Sequence, residues 1–144
     1  MNIKDLTGYD ILLAMSRGEL PHPSIAATVP MVITKVEKGE VTFSAKANHT
    51  HLNPLGGVHG GFAATVLDSV TGCAVHTLLG AGVGYGTVDL NIKMIRPIPK
   101  EEELLAVGRV INLSRSLGIS EGTLKSGSGK LLATATATCF ILNP

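Results

Sequence analysis

Asp68 is an isolated carboxylate in the apolar segment 60–79, which contains no other acid and no Lys or Arg. Burying a carboxylate is costly unless the group is paired, hydrogen-bonded or neutral. Two interpretations therefore remain open. Asp68 either hydrogen-bonds a backbone group or a neighbouring Ser or Thr, or it acts as a general base or nucleophile in a site that excludes water.

The start of the same segment supplies groups that suit attack on a carbonyl carbon. Gly60 and Gly61 open a predicted helix, so their N–H groups lack acceptors within it, and the positive end of the helix dipole lies there. Without a Cβ, the backbone can be approached closely by a substrate carbonyl, as a main-chain oxyanion hole requires. The alternative is a simple glycine-rich helix entry. His59 either caps the helix, bonds a loop carbonyl or contacts a substrate.

The elements that must position these residues follow from the hydrophobic pattern. Residues 8–16 predict a short amphipathic helix, which the prolines of ELPHPS end. Strands are predicted at 28–36 and 40–47, joined as a hairpin by the turn at Lys38-Gly39. After a loop, the segment 60–79 predicts a helix ~30 Å long. This helix is apolar nearly all round, so we expect it to be enclosed.

Four further strands are predicted in the stretches TVDLNIKMI, ELLAVGRVINL, LGISEGTL and KLLATATATCFIL. The first alternates, with one face formed by Val88, Leu90, Ile92 and Met94. The last has an alanine face that lets the long helix pack closely, formed by Ala133, Ala135 and Ala137. Short turns between these strands favour antiparallel pairing.

This order of elements predicts an α+β fold in a single domain, residues 1–144, after an N-terminal helical or extended lead-in over 1–27. A curved antiparallel sheet wraps around the long central helix. The length of 144 residues is enough for one domain with a substantial core.

Composition and charge argue against nucleic acid and membranes as partners. The net charge is +1, and two Tyr, three Phe and no Trp offer little on which bases could stack. Asp68, His76 and the GAGVG run interrupt the apolar segment, which favours a buried helix over a membrane span. The N-terminus shows no clean apolar region of a signal peptide, so we expect a cytoplasmic protein.

Metal binding and disulfide chemistry are not expected either. His49 and His51 could join Asp68, but their spacing does not match a metal site. Cys73 and Cys139 lie in apolar runs without a second Cys at redox or metal spacing, so both are expected to be reduced and buried.

The constellation of Asn53, His59-Gly60-Gly61 and Asp68 resembles the hotdog-fold acyl-CoA thioesterases, most closely their PaaI-like, phenylacetate-pathway branch. The resemblance continues in YGTVDLNIKMIRPI and ATATATCFIL and covers roughly residues 50–142. It implies the hotdog fold and an acyl-CoA thioesterase that needs no cofactor, coenzyme A being part of the substrate. It also implies that the Gly60 N–H polarises the thioester carbonyl. Asp68 then activates water or attacks, Asn53 helps to position the attack, and His59 orients the carbonyl end.

Further substrate contacts are expected at Gly61, Ser69, Thr71, Gly72, Arg96 and Arg115. Several relatives carry Ser or Thr four residues after the carboxylate, where this chain has Gly72, so the residue that supports the water or thiolate is open. Arg115 lies among the serines of NLSRS, and an Arg with hydroxyl groups suits the phosphates of coenzyme A. The alternatives are an ion pair or solvated side chain for Arg96 and an exposed turn for Arg115.

Two other function classes stay open. One is a hotdog hydratase or dehydratase of acyl thioesters, in which His59 would join Asp68 in proton transfer. The other is a protein that binds acyl-CoA without turning it over.

The spacing of Gly60 and Asp68 predicts that two chains share each site. The two residues are ~12 Å apart along a helix axis, and an Asp side chain does not span that distance. Catalysis needs the attacking group ~3 Å from the carbonyl carbon. A two-fold homodimer brings Asp68 of one chain towards Gly60 of the other. The resemblance likewise implies a dimer or a dimer of dimers, that is, a homotetramer.

Overall fold

The computed structural model describes residues 2–144. After a 3₁₀ turn at Ile3–Asp5, the helices are α1 Gly8–Ser16, α2 Ile25–Thr28 and α3 Gly60–His76. The strands are β1 Met31–Glu37, β2 Glu40–Ala45, β3 Gly84–Met94, β4 Leu104–Leu113, β5 Leu117–Ser126 and β6 Leu131–Leu142. Within residues 2–144, no helix is long and apolar enough to cross a membrane.

All six strands form one antiparallel sheet in the order β1-β2-β4-β5-β6-β3. The predicted hairpin, the four later strands and their antiparallel pairing are confirmed. Gly39 closes the hairpin with a φ of 87°, in the region that favours glycine. The first strand begins at Met31 rather than at residue 28, because α2 precedes it and Pro30 has no N–H to offer the sheet.

Helix α3 packs across the inner face of the sheet and is enclosed, as its apolar sequence predicts. The approach is close at two strand glycines. A Cβ at Gly108 would overlap the carbonyl oxygen of Val70, and one at Gly122 would lie 3.0 Å from Thr71 Cγ2. The predicted alanine face joins the same core through Ala133 and Ala135. The strand glycines, which sequence reasoning missed, let β4 and β5 approach the helix backbone.

Helix α3 ends at His76, three residues before the predicted end. Thr77 caps it, since the hydroxyl of Thr77 donates to the carbonyl of Ala74 at 2.6 Å. The same hydroxyl accepts from the N–H of Gly39 at 2.7 Å, which ties the helix end to the β1–β2 turn. A tertiary contact therefore sets this boundary.

Strand β3 contains a bulge that changes its predicted alternation. Thr87 and Asp89 pair with successive residues of β6, so Val88 between them has no partner in the register. The sequence predicted that Val88 lies on the same face as Leu90 and Ile92. This prediction is wrong, because Val88 is 65% exposed at the bulge. The bulge leaves Thr87 opposite Cys139, so that its hydroxyl lies 3.9 Å from the buried Cys139 Sγ, although Thr87 itself is exposed.

Strand β3 forms one edge of the sheet and runs antiparallel to α3. Near its start, Tyr85 lies against Gly72, and at its end, Met94 lies against Gly60. This edge strand therefore flanks the whole segment of α3 that carries the candidate site.

The N-terminal residues cover α3 on the side away from β4 and β5. Helix α1 packs against β1 and α3, and the N–H of Gly8 donates to the carbonyl of Leu79 at 3.0 Å. Further along, the N–H of Ile33 donates to His22 Nε2 at 3.2 Å. These contacts fix the segment before β1 as one wall of a cavity.

Candidate active site

One half-buried stripe runs along the otherwise buried part of α3, formed by Ala64, Thr65, Asp68, Ser69, Cys73 and His76. Asp68 lies in the middle of this stripe. Its Oδ1 atom is buried and has no hydrogen-bond partner among residues 2–144. An unpartnered buried carboxylate oxygen is costly, so the position calls for a functional explanation.

The hydroxyl groups near Asp68 do not satisfy its carboxylate. Thr65 donates to the carbonyl of Gly61 at 2.9 Å, and Ser69 donates to that of Thr65 at 2.8 Å. Thr71 donates to the carbonyl of Leu67 at 2.7 Å. All three hydroxyls thus bond the helix backbone one turn earlier. The carboxylate of Asp68 is therefore not held by a neighbouring Ser or Thr in this structure.

A cavity of about 340 Å³ opens beside Asp68. Most of its polar lining comes from α3 and β3, namely Asp68, Ser69, Cys73, His76, Tyr85 and Thr87, and the N-terminal segment adds His22. Its apolar lining comes from the N-terminal helices and the first hairpin, and includes Ile11, Leu12, Met15, Ile25, Ile33 and Phe43. A mostly apolar pocket with a few polar groups at one wall is typical of a small-molecule site.

The groups around Asp68 are strongly desolvated. Burial raises the pKa of Cys73 to about 12, although a hydrogen bond with Tyr85 lowers it, and the charge of Asp68 raises it further. Burial also raises the pKa of Tyr85 above its usual range and lowers that of His76. Burial likewise raises the pKa of the Cys139 thiol. Neither Cys73 nor Cys139 forms a disulfide in residues 2–144. An ionised carboxylate in such surroundings interacts strongly with any reacting group placed beside it.

Among the first three residues of α3, Gly60 to Phe62, one backbone N–H has no acceptor. His59 is the N-cap, and its Nδ1 accepts from the N–H of Gly61 at 2.7 Å. The N–H of Phe62 donates to the carbonyl of His59 at 3.0 Å. Within the described part of the chain, nothing accepts from the N–H of Gly60. The geometry therefore singles out Gly60, and not Gly61, as the available donor at the positive end of the helix.

Asn53 organises the loop before α3. Its Oδ1 accepts from the N–H groups of Leu55 and Gly57 at 3.0 and 3.2 Å, and its own N–H donates to the carbonyl of Gly57 at 2.7 Å. The carboxamide oxygen is thus engaged in a turn. The Nδ2 amide remains as the group that a substrate or water can meet.

Gly60 and Arg96 line a second cavity of about 370 Å³, together with Met94 and Pro97. Arg96 Nη1 donates to the carbonyl of Leu131 at 2.6 Å, which holds the guanidinium at the first residue of β6. No salt bridge to Arg96 exists between residues 2 and 144. The structure therefore brings Gly60 and Arg96 together, as neighbours of one cavity.

The predicted site residues fall into two groups that do not meet within one chain. Asp68 and Ser69 line the first cavity, and Gly60 lines the second. Along the axis of α3 the two groups are ~12 Å apart. Thr71 is fully buried between α3 and the sheet and does not line either cavity.

Arg115 lies in the exposed turn between β4 and β5, at the end of the sheet near the C-terminus of α3. A Cβ at the nearby Gly118 would meet Val75 Cγ1, one residue before the end of that helix. Gly60 and Arg96 lie at the opposite end. One chain thus does not bring its two candidate substrate-binding arginines together.

Sequence reasoning missed Tyr85 and Thr87, which line the first cavity with Asp68. The predicted alternation put Thr87 on the face opposite Leu90 and Ile92, because the bulge at Val88 is not visible in the residue types. Tyr85 had one available signal, an aromatic residue between glycines in a chain with few aromatics. No group of His, Cys, Asp and Glu side chains in residues 2–144 is arranged to hold a metal ion.

Comparisons with known proteins agree with this fold. Residues 55–133 match the model of the thioesterase superfamily. The chain is 36% identical to a solved phenylacetic acid degradation-related protein from Ralstonia eutropha JMP134, covering 90% of this chain and 98% of that one, with a TM-score of 0.81. It is 26% identical to acyl-coenzyme A thioesterase 13 of Homo sapiens over 78% of this chain and 81% of the relative. The PaaI protein of E. coli, 14% identical, shares the fold with a TM-score of 0.82 over 95% of this chain and 97% of that one.

Proposed function

The chain belongs to the thioesterase superfamily and is a thioester hydrolase with the hotdog fold, and we propose that it converts acyl-CoA thioesters to free acids and coenzyme A. The observation that carries this proposal is the buried, unpartnered Oδ1 of Asp68 at the wall of an apolar cavity. The name of the human relative, an acyl-coenzyme A thioesterase, supports the coenzyme A portion of the substrate.

Asp68 supplies the attack on the thioester carbonyl in this proposal. It does so either by taking a proton from a water molecule or by forming an acyl-enzyme anhydride that water then cleaves. In both routes the C–S bond breaks, and coenzyme A leaves as a thiol after it gains a proton. The dry cavity keeps the carboxylate poorly solvated and therefore reactive.

The N–H of Gly60 stabilises the negative charge that develops on the carbonyl oxygen. This N–H has no acceptor in residues 2–144, lies at the positive end of α3 and belongs to a residue without a side chain of its own. Asn53 contributes its Nδ2 amide to the placing of the attacking group, while its Oδ1 holds the loop. His59 fixes the first turn through its bond to Gly61 and thereby orients the Gly60 N–H.

Each site in this proposal is assembled from two copies of the chain. The separation of Asp68 and Gly60 into two cavities supports it, as does the edge position of β3, which offers a second copy a strand beside α3. One copy gives Asp68 and the cavity beside it. The other gives Gly60, His59 and Asn53. A two-fold axis makes two identical sites, and a dimer of such dimers is compatible with this arrangement.

The hydrolysis itself is tested with a panel of acyl-CoA thioesters, by following the release of free thiol. We expect hydrolysis of at least one member with saturation kinetics. A crotonyl thioester in the same panel separates hydrolysis from hydration, since hydration consumes the double bond without releasing a thiol. Hydration without thiol release would assign the chain to the hydratases instead.

Complementation between two inactive variants tests the shared site. An Asp68→Asn chain and a Gly60→Ala chain are unfolded together in equal amounts, refolded and assayed. Mixed dimers contain one site with both groups intact, so random pairing should restore about a quarter of wild-type activity.

The matched control places both substitutions in one chain and mixes it with wild type. A shared site leaves the mixed dimers of this control without any intact site, whereas a site within one chain leaves them with one. With equal amounts and random pairing, a shared site gives about a quarter of wild-type activity in both mixtures, and in the control all of it comes from wild-type homodimers. A site within one chain gives no activity in the first mixture and about half of wild-type activity in the control. That second pattern, with mixed dimers demonstrated by mass spectrometry, would contradict the shared site.

Arg115 is proposed to meet the phosphates of coenzyme A from the chain that supplies Asp68. Arg115→Ala should raise KM for a coenzyme A thioester more than KM for the corresponding pantetheine thioester, which lacks the nucleotide. The measurement is steady-state kinetics on both substrates. Arg17→Ala serves as the control, because Arg17 is also exposed but lies at the end of α1. An equal change on both substrates would place Arg115 outside the binding site.

A further inference from the structure

The cavity beside Asp68 is narrowed by an aromatic ring that lies directly on α3. A Cβ added at Gly72 would be 2.8 Å from Cε2 of Tyr85 and 3.3 Å from its hydroxyl oxygen. Any other residue at position 72 would therefore displace the ring. Gly72 lies one helical turn after Asp68, so the ring occupies the space next to the carboxylate, ~6 Å further along the helix axis.

The ring of Tyr85 has a second support one turn further on. The rings of His76 and Tyr85 have their centroids 5.2 Å apart and are tilted by 50°, an arrangement that aromatic pairs favour. His76 lies ~12 Å from Asp68 along the axis. Tyr85 is thus held between Gly72 and His76, and its position is determined from both sides.

The remaining walls near Asp68 are apolar and fixed. Helix α1 contributes Leu12 and Met15, and the first hairpin contributes Ile33 and Phe43. Two hydrogen bonds tie this N-terminal wall to the rest of the fold. The N–H of Gly8 donates to the carbonyl of Leu79, and the N–H of Ile33 donates to His22 Nε2. An apolar group that enters at Asp68 and extends along α3 therefore meets the Tyr85 ring, with little freedom for the opposite wall to move away.

We propose that Tyr85 is the specificity-determining residue for the acyl group: seated on Gly72 and against His76, its ring limits how far an acyl chain extends from Asp68. The enzyme accepts short and medium acyl groups and rejects long ones. The aromatic ring sets this limit, while the hydroxyl contributes little to it. This inference rests on the proposed function, because it takes the cavity beside Asp68 as the acyl site.

The test compares kcat/KM for hexanoyl-CoA and dodecanoyl-CoA. In Tyr85→Ala, the ratio of dodecanoyl to hexanoyl should rise about tenfold or more, since differential contacts in an apolar pocket reach that size. Tyr85→Phe keeps the ring and should keep the wild-type ratio. In Gly72→Ala, the added methyl pushes the ring into the cavity, and the ratio should fall. A merely structural role of Tyr85 would lower both values of kcat/KM equally, and an unchanged ratio would overturn the inference.

A binding measurement separates this inference from the proposed function. Calorimetric Kd values for hexanoyl-CoA and dodecanoyl-CoA are obtained in the Asp68→Asn chain with and without Tyr85→Ala, and with Tyr85→Leu if the alanine variant does not fold. A selective gain in dodecanoyl-CoA affinity supports Tyr85 whether or not the wild type turns the thioesters over. A wild type inactive on every thioester, with the gain present, would overturn the proposed function alone. Equal affinities in all variants would overturn the role of Tyr85.

Discussion

Replacing Asp68 by asparagine is expected to lower kcat for the best thioester by about 10²–10⁴-fold, the usual contribution of a general base. The amide has the shape of the carboxylate but neither takes a proton nor attacks a carbonyl. Because Oδ1 of Asp68 has no hydrogen-bond partner in residues 2–144, the substitution breaks no bond at that atom. The folded state should therefore survive, with a melting temperature no lower than that of the wild type.

The assay is thiol release under saturating substrate, with circular dichroism to compare folding. Asp89→Asn is the matched control, since Asp89 is an exposed carboxylate on the neighbouring strand β3 and should leave kcat unchanged. Single turnover in H₂¹⁸O then distinguishes the two routes. Label in the Asp68 carboxylate establishes attack by the carboxylate, with cleavage of the anhydride at the aspartyl carbon. Label only in the product acid, with no acyl-Asp68 adduct trapped by hydroxylamine, indicates attack by water. An Asp68→Asn enzyme with near wild-type kcat would remove Asp68 from the chemistry.

Gly60→Ala is expected to lower kcat by about 10²-fold, the lower end of what loss of one oxyanion donor costs. The added Cβ lies beside the N–H of Gly60, which has no acceptor in the described residues, and it obstructs the approach of the carbonyl. The chain itself tolerates it, because the Cβ would lie 3.3 Å from the flexible end of Met94. The loss should therefore appear in kcat while the melting temperature changes little.

Two other glycine substitutions calibrate this result. Gly86→Ala adds a Cβ that meets nothing within 4 Å and should leave both kcat and stability unchanged. Gly61→Ala places a Cβ 2.8 Å from His59 Nδ1, so it should disturb the N-cap and lower the melting temperature. Gly60→Ala with normal kcat/KM would exclude the N–H of Gly60 as the oxyanion donor.

The sequence by itself determined the secondary structure and the types of group available for chemistry. Helix α3 and the antiparallel strands follow from hydrophobic periods that each segment carries locally. The signal carried by Asp68 and the paired glycines before it is equally local, since it depends only on the spacing of these residues along one helix. The same spacing predicted a site shared between two chains, because the rise per residue of a helix is constant.

Only the tertiary structure decided which of these groups are free and what stands beside them. It showed that the hydroxyls of Thr65 and Ser69 bond the helix backbone, which leaves Asp68 without a partner. It also showed that His59 Nδ1 accepts a hydrogen bond from the N–H of Gly61 and not from that of Gly60. Hydrogen-bonding groups have several possible partners within a few residues, and the backbone and side-chain conformations that choose between them depend on packing.

The contact between Gly72 and Tyr85 was likewise decided by the tertiary structure. It joins residues on α3 and β3, and the bulge at Val88 sets which side chains of β3 face the helix. A single extra residue in a strand reverses the side on which the following residues lie, and its cost is small compared with that of leaving apolar side chains in water. The pairing with β6 and the packing of α3 therefore select the bulge, and the residue types of β3 alone do not reveal it.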